Sequence, residues 1–210
     1  IGNTYVPLGI AYIAAYAKRT FGSDIDIRLF KSLTELLEAA KNEKPSLVGF
    51  SQYYWNAELN HMAVRQLRDM YGKDIIIAYG GPSIDSEPVE LEAICRRLPN
   101  VDVVVTDEGE VGFANIIEAM LNNSLFQHPI DGASFLSEDA LVSGLSIGLQ
   151  TDLSTVDSPY LNGSLDDFLD GSYMPLLQTS RLCPYTCTFC VSGKNTGKLR
   201  AFPIDQVKAE

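Results

Sequence analysis

Residues 47–81 read LVGFSQYYWNAELNHMAVRQLRDMYGKDIIIAYGG and contain a strand, a helix and a second strand in that order. Leu47–Ser51 and Ile75–Tyr79 are short apolar runs typical of buried strands. Asn56–Tyr71, between them, has the spacing of an amphipathic helix. Two buried strands joined by a helix predict a parallel arrangement of the strands, because a parallel pair needs a crossover connection.

The same alternation continues on both sides of this segment. We predict helices at Leu8–Thr20, Ser32–Lys41, Glu87–Arg97 and Glu110–Leu121, and strands at Asp24–Phe30 and Val101–Thr106. Ser32 is the expected N-cap of its helix, with Glu35 at the capping-box position. This order predicts an α/β fold with a Rossmann-like, doubly wound parallel sheet covered on both faces. The chain opens in a loop that leads into a helix, so we expect the first strand of the sheet to be missing.

The pattern changes after the last of these helices. Residues 127–175 are rich in turn signals such as Asp131-Gly132, and we predict a linker with short strands. Leu176–Ser180 reads as a strand that runs directly into a cysteine-rich loop, and Pro203-Ile204-Asp205 reads as a helix start. We therefore predict a Rossmann-like domain at 1–126, a linker at 127–175 and the start of a further domain at 176–210, in a chain that is a fragment of a longer protein.

Composition limits the classes of function. Hydrophobic residues make up 46% and charged residues 20% of the 210 residues, which is a globular profile, and the formal net charge is −11. Such an acidic surface repels a phosphate backbone, so nucleic acid is an unlikely partner. The chain contains no apolar stretch that could span a membrane and no visible signal peptide, so we expect a cytoplasmic protein without a membrane partner.

Three of the four cysteines, Cys183, Cys187 and Cys190, lie within eight residues. Thiolates are the usual ligands of iron–sulfur clusters, and three of them can hold a cubane while leaving one iron open to a small molecule. The alternative of a zinc site requires a fourth ligand from Cys95, His61 or His128, all distant in sequence. A disulfide or inert thiols are a third possibility. Ligand chemistry and spacing favour a catalytic cluster.

The stretch from Gln178 to Cys190, QTSRLCPYTCTFC, resembles the signature of radical S-adenosylmethionine (SAM) enzymes. The resemblance implies that the three cysteines bind a 4Fe–4S cluster after the first strand of a (β/α) barrel, here truncated. It also implies SAM as a second cofactor, an external electron donor, and Phe189 near the adenine of SAM. The chain departs from the family pattern at Leu182, where many members have glycine.

The residues in front of the cysteines resemble the cobalamin-binding half of certain radical SAM proteins. The matching motifs are Pro7-Leu8-Gly9, Val48-Gly49-Phe50-Ser51, Gly80-Gly81-Pro82, Asp102-Val-Val-Val, Glu108-Gly109-Glu110 and Ser158-Pro159-Tyr160-Leu161. This resemblance implies cobalamin as a cofactor, with contacts from Pro7, Gly9, Ser51, Gly80, Gly81 and Glu108.

Several of these positions also have a simpler interpretation. Gly80-Gly81-Pro82 can be an ordinary strand-to-helix turn. Glu108 can be an acid placed favourably at a helix N-terminus. The aromatic residues of Ser51–Trp55 can pack on a corrin ring or at a domain interface. The Asp-x-His-x-x-Gly motif of an axial histidine is absent, and His61, on a helix, is not expected to ligate cobalt.

The leading functional hypothesis is the N-terminal part of a radical SAM enzyme that cleaves SAM reductively to a 5′-deoxyadenosyl radical. Cobalamin-dependent methylation and radical rearrangement or cyclisation of an unknown small molecule both remain open, and we expect this fragment alone to be inactive. The alternative is a non-enzymatic Rossmann-like binding module with a structural zinc loop. A methylthiotransferase is disfavoured, since such enzymes carry three further cysteines in the preceding domain and only Cys95 is present.

Overall fold

The computed structural model describes residues 4–185, 187–190 and 198–210. The chain divides into two compact units, the sheet unit, Phe30–Gly148, and the cysteine unit, Ile1–Leu29 with Leu149–Glu210. This division groups residues by their packing and differs from the domain boundaries expected after residues 126 and 175, which stay predictions. No helix in the described part of the chain is both long enough and apolar enough to cross a membrane.

The sheet unit contains a five-stranded mixed sheet with four helices. The strands are β1 (Leu47–Ser51), β2 (Ile76–Gly80), β3 (Val103–Val105), β4 (Ala133–Ser137) and β5 (Ala140–Ser143). The helices are α2 (Leu33–Asn42), α3 (Ala57–Tyr71), α4 (Pro88–Arg97) and α5 (Gly109–Leu121), and α1 (Leu8–Phe21) belongs to the cysteine unit. The strand order is β1-β2-β3-β4-β5, with β1, β2 and β3 parallel and β4 and β5 antiparallel.

The α/β class and the Rossmann-like layering are confirmed, but the sheet is not entirely parallel. The described strands also lie in chain order without the reversal that a doubly wound sheet requires. The antiparallel pair β4–β5 is a hairpin with Glu138 and Asp139 in its turn, both at positive φ (48° and 63°). Two central residues with positive φ match the twist of the flanking strands, as in type I′ turns.

Alternate residues of each parallel strand face opposite layers of helices. Val48, Ile77 and Val104 lie in the core formed with α2, α3 and α4. Ala78 and Val103 lie in the core formed with α5 on the other face. The period of two along each strand therefore explains why nearly every strand residue is apolar in this sheet.

Helix α5 packs unusually close to the sheet. A β-carbon at Gly112 would lie 2.6 Å from the carbonyl oxygen of Gly132, and one at Gly132 would lie 2.9 Å from the Cα of Gly112. Since real β-carbons do not approach other atoms this closely, the two backbones can meet only because both residues lack a side chain.

The predicted helix boundaries agree with the structure to within one residue at most ends, but two predicted strands are wrong. Asp24–Phe30 is not a strand, and the strand expected at Leu176–Ser180 is found at Ser180–Arg181 instead. The Ser32 hydroxyl accepts the N–H of Glu35 at 3.4 Å, as expected of the N-cap of α2. Residues 25–30 pair with none of the described strands. Their burial does alternate, with Ile25 and Ile27 half-buried and Asp26 exposed. The alternation of residue types thus indicated correctly which side chains are buried. A strand also needs the backbone of a neighbouring strand to form hydrogen bonds, and none of the described strands supplies it.

The cysteine unit has its own apolar core. Its buried members are Val6, Leu8, Ala11, Tyr12, Leu153, Leu165, Phe168 and Phe202. Residues from α1 thus pack against the segment that follows Leu149. Two short strands, β6 (Ser180–Arg181) and β7 (Arg200–Ala201), pair antiparallel, and α6 (Ile204–Ala209) follows. The remainder of the (β/α) barrel implied by the resemblance is not seen in the described residues.

A buried ion pair joins α3 to the beginnings of β2 and β3. The side chains of Arg68 and Asp102 are each 9% exposed, and the guanidinium donates to the carboxylate. Arg68 also donates to the carbonyl oxygens of Gly72 (2.7 Å), Ile75 (2.9 Å) and Asn100 (2.8 Å). Asp102 further accepts the N–H of Ile77 at 2.8 Å and the ammonium of Lys73 at 2.8 Å. Every partner that a buried charge requires is therefore supplied within this group.

Replacing Arg68 by methionine should lower the free energy of unfolding by about 3–5 kcal/mol, because Asp102 and three carbonyl groups would lose a buried donor. Urea unfolding at neutral pH measures this loss. Lys73→Met is the matched control, since Lys73 binds the same carboxylate with a side chain that is 69% exposed. It should cost less than about 1 kcal/mol. Equal losses in the two variants would contradict the central role of Arg68.

Candidate functional site

The carboxyl ends of β1, β2 and β3 meet at one edge of the sheet, which we call the carboxyl edge. Ser51 ends β1 opposite Gly80, which ends β2. Gly81 follows β2, and Glu108 stands at the N-cap of α5 just after β3. Four of the predicted cofactor-binding residues are thus brought to the edge where open α/β sheets bind ligands.

The loop after β1 is held by a network of side-chain amides that the sequence analysis did not identify. The side-chain amide of Asn60 donates to the Gln52 side chain at 2.7 Å and to the Ser51 carbonyl at 3.2 Å. Asn56 donates to the same carbonyl at 2.9 Å and accepts the N–H of Tyr53 at 2.8 Å. The sequence signal for this network was the pair Asn56 and Asn60, four residues apart in the segment that follows β1. The network fixes the path of the loop.

Gly81 adopts a conformation that suits glycine alone. Its φ is +104°, and a β-carbon there would lie 3.2 Å from the backbone nitrogen and oxygen of Gln52. The Gln52 N–H donates to the Gly80 carbonyl at 2.6 Å, and the Ser83 N–H donates to the Gln52 carbonyl at 3.3 Å. The loops after β1 and β2 therefore touch through backbone atoms, and Gly81 presents an exposed main chain at the edge.

Aromatic side chains stand beside this edge. The rings of Tyr53 and Trp55 stack with centroids 4.6 Å apart and an interplanar angle of 20°. Trp55 is 72% exposed, and Tyr54 is exposed as well. Half-buried Tyr53 supports the exposed ring of Trp55, which offers a flat apolar surface to a ligand or to another protein surface.

The third loop of the carboxyl edge, between β3 and α5, is fixed by Asp107. This residue has φ +57°, a left-handed conformation that aspartate tolerates better than most residues. Its carboxylate accepts the Ser146 hydroxyl at 2.7 Å. The preceding residue, Thr106, donates its N–H to the Gly132 carbonyl at 3.0 Å. Half-buried Glu108 follows directly, where a carboxylate also suits the N-terminus of a helix.

Pro7 and Gly9 belong to the cysteine unit rather than to the sheet unit. Pro7 is the N-cap of α1, and Gly9 lies exposed in the first turn of that helix. No heavy atom lies within 4 Å of a β-carbon built at Gly9. The close packing that explains Gly81 therefore does not explain Gly9.

The cysteine loop follows β6. Cys183, Cys187 and Cys190 are exposed and carry free thiols, and the Cys190 N–H donates to the Cys187 carbonyl at 3.1 Å. Among the described residues, no three His, Cys, Asp or Glu side chains lie close enough together to hold one metal ion. The three thiols therefore match a cluster by donor chemistry but are not gathered around a common point. Phe189, expected near the adenine of SAM, is 91% exposed.

The side chains considered as a fourth zinc ligand lie elsewhere. Cys95 is buried in the core of the sheet unit, and burial raises the pKa of its thiol above the usual value, which disfavours the thiolate. His61 is half-buried on α3, and His128 is exposed. Neither histidine joins a metal-holding group within the ranges that the structure describes.

Several curated proteins are similar to this chain. An uncharacterized methyltransferase of Pyrococcus horikoshii is 26% identical over 100% of the chain and 46% of its own length. The cobalamin-dependent radical SAM methyltransferase TokK of Streptomyces tokunonensis is 27% identical over 80% of the chain and 25% of its own length. The 2-(S-pantetheinyl)-carbapenam-3-carboxylate methyltransferase of Streptantibioticus cattleyicolor is 28% identical over 82% of the chain and 26% of its own length. The chain thus spans between about a quarter and about half of these relatives.

A protein-family model agrees with this similarity and with the α/β architecture. The model of the B12 binding domain matches residues 1–117, which is more than half of the 210 residues. The matched region includes α1, the three parallel strands and the carboxyl edge described above. The chain belongs to the B12 binding domain family.

Proposed function

We propose that this chain is the cobalamin-binding and cluster-binding part of a radical SAM methyltransferase. The observation that carries the proposal is the order of two features along one chain: a B12 binding domain match over residues 1–117, followed by three free, exposed cysteines at 183, 187 and 190. Methyl transfer is favoured over cyclisation because the three methyltransferases named above match 80% or more of the chain. An anaerobic magnesium-protoporphyrin IX monomethyl ester cyclase of Synechocystis matches only 56% of it, at 26% identity. The methyl acceptor is a small molecule whose identity stays open.

The carboxyl edge supports cobalamin binding through backbone rather than through charge. Gly81 is exposed there, so a large cofactor can approach its main chain closely. The amides of Gln52, Asn56 and Asn60 are used within the protein, so they hold the shape of the edge rather than contact the cofactor. The stacked Tyr53 and Trp55 offer apolar surface to a flat ring system.

The cysteine loop supports cluster binding through its donor set. Three thiols without disulfide partners and without a histidine at zinc-knuckle spacing suit iron–sulfur ligation, since soft thiolates are preferred there. When bound, the cluster would supply the electron that cleaves SAM, and cobalamin would carry the methyl group. Cys183, Cys187 and Cys190 would each give up a proton on binding iron. The exposed ring of Phe189 is available to stack on the adenine of SAM.

A cobalamin titration of the full-length protein, followed by its visible absorption spectrum, tests the first half of the proposal. The wild-type protein should bind about one equivalent of cobalamin. Gly81→Ala should weaken binding about tenfold, because the methyl group would strain the backbone and push against Gln52 at the carboxyl edge.

Gly72→Ala is the matched control for that titration. Gly72 also has a positive φ, +55°, but it follows α3 at the opposite end of β2, and no atom lies within 4 Å of a β-carbon there. This variant should lose stability in urea yet bind cobalamin like the wild type. Wild-type protein that binds no cobalamin, or equal weakening in both variants, would argue against this site.

Anaerobic reconstitution of the full-length protein with iron and sulfide tests the second half. About four irons per chain and an EPR signal that changes on adding SAM are expected. Serine at position 183, 187 or 190 should remove most of the iron, whereas Cys95→Ser, at a buried thiol, should leave the iron content unchanged. Stoichiometric zinc in place of iron would refute cluster binding and support a structural zinc loop.

A further inference from the structure

The chain enters the cysteine loop through Arg181. Strands β6 and β7 pair Ser180 with Ala201 and Arg181 with Arg200, and all three cysteines lie between these two strands in the sequence. Arg181 is the last residue of β6 and lies two residues before Cys183. Its side chain therefore lies close in sequence to the first cysteine.

The guanidinium of Arg181 lies over two aromatic rings. Its Cζ is 5.1 Å from the centroid of the Tyr12 ring and 5.7 Å from the centroid of the Phe202 ring. The two rings stack with centroids 5.8 Å apart and an interplanar angle of 18°. A cation within about 6 Å of a ring centroid is attracted by the ring quadrupole, and here one cation meets two such rings.

Both rings are fixed by the core of the cysteine unit. Tyr12, on α1, and Phe202, after β7, are buried members of the same apolar cluster. The Phe202 N–H also donates to the Thr179 carbonyl at 3.0 Å, which continues the pairing of β6 with β7. Arg181 donates its Nε to the Gln178 side chain at 3.2 Å. The guanidinium therefore rests on a rigid platform that includes a helix from the B12 binding domain match.

The residue between Arg181 and Cys183 turns the chain sharply. Leu182 has φ +70°, a left-handed conformation that L side chains rarely adopt. A branched side chain stays there only where the surrounding structure holds the backbone. The residue before Leu182 is Arg181, whose guanidinium lies over the two rings, so the sharp turn begins at a side chain with fixed partners.

We propose that Arg181 is a positioning residue for the cysteine loop, held over Tyr12 and Phe202 so that Cys183 starts from a fixed place when the three cysteines gather around iron. The inference rests on the proposed function of the loop and adds a residue outside the cysteine triad. It also gives α1 a role in the cysteine unit, because this helix supplies Tyr12, one of the two rings under Arg181.

The test compares Arg181→Met, which keeps the length but removes the charge, with Arg181→Lys, which keeps a cation. Arg19→Met is the control, because the Cζ of Arg19 lies 4.9 Å from the centroid of the Tyr16 ring on the same helix. Arg19 also pairs with Asp157 at 3.1 Å, so this variant removes a cation and its ring contact from α1 at a site outside β6 and β7. All variants are made in the full-length protein. Phe202→Leu, which removes one ring and keeps an apolar side chain, serves if Arg181→Met does not fold.

Two measurements are made on each variant. In metal-free protein, hydrogen exchange of the Phe202 amide should accelerate about fivefold in Arg181→Met, which converts to about 1 kcal/mol of lost local stability. In reconstituted protein, the cluster should be lost to an iron chelator about fivefold faster, and the EPR signal with SAM should change. Arg181→Lys should recover most of both effects, Phe202→Leu should show smaller changes than Arg181→Met, and Arg19→Met should match the wild type.

The outcomes separate this proposal from the proposed function. Wild-type protein that assembles no iron–sulfur cluster overturns the proposed function, and the positioning role falls with it. A wild-type cluster with unchanged chelation rate and unchanged EPR signal in Arg181→Met overturns the positioning role alone. Unchanged exchange at Phe202 overturns the platform in either case.

Discussion

The arrangement of the sheet unit depends on the carboxylate of Asp102 and its partner Arg68. Asp102 directly precedes β3 and exchanges two hydrogen bonds with Ile77 of β2, one through its side chain and one through its own N–H at 2.9 Å. Arg68 brings the end of α3 to the same point. A buried charge without these partners would destabilise the fold, so the pair holds α3, β2 and β3 together at this point. The loops at the opposite end of these strands then leave the sheet from fixed positions.

Local patterns were sufficient for much of this fold. Strand β1 was predicted with its observed bounds, and the cap at Ser32 was predicted with its observed partner, because both features are decided by residues close in sequence. Local patterns were not sufficient for residues 25–30, where the alternation in burial was predicted correctly but the assignment as a strand was wrong. Pairing depends on a backbone elsewhere in the chain, about which a period of two carries no information.

The same distinction applies to the candidate site. Ser51, Gly80, Gly81 and Glu108 could be predicted at one edge because parallel strands end on the same side. The amide network of Gln52, Asn56 and Asn60 could not be predicted. It requires the side chain of Gln52, on a loop, to meet that of Asn60, on α3. Likewise, the family resemblance was confirmed, whereas the ligand chemistry expected of the three cysteines stays a prediction. The contact of Arg181 with Tyr12 could not be predicted, since it joins residues 169 positions apart.

The contact between Gly112 and Gly132 restricts how this sequence can change over evolutionary time. The distance between α5 and the sheet is small there because neither residue has a side chain. The first turn of the same helix follows Glu108 at the carboxyl edge. One methyl group at Gly112 would collide with the Gly132 carbonyl and shift the helix, and with it the amino end at the carboxyl edge. Exposed residues of α5 can therefore be replaced without moving the helix. A side chain at Gly112 or Gly132 cannot be accommodated by changing the other residue, because both are already glycine.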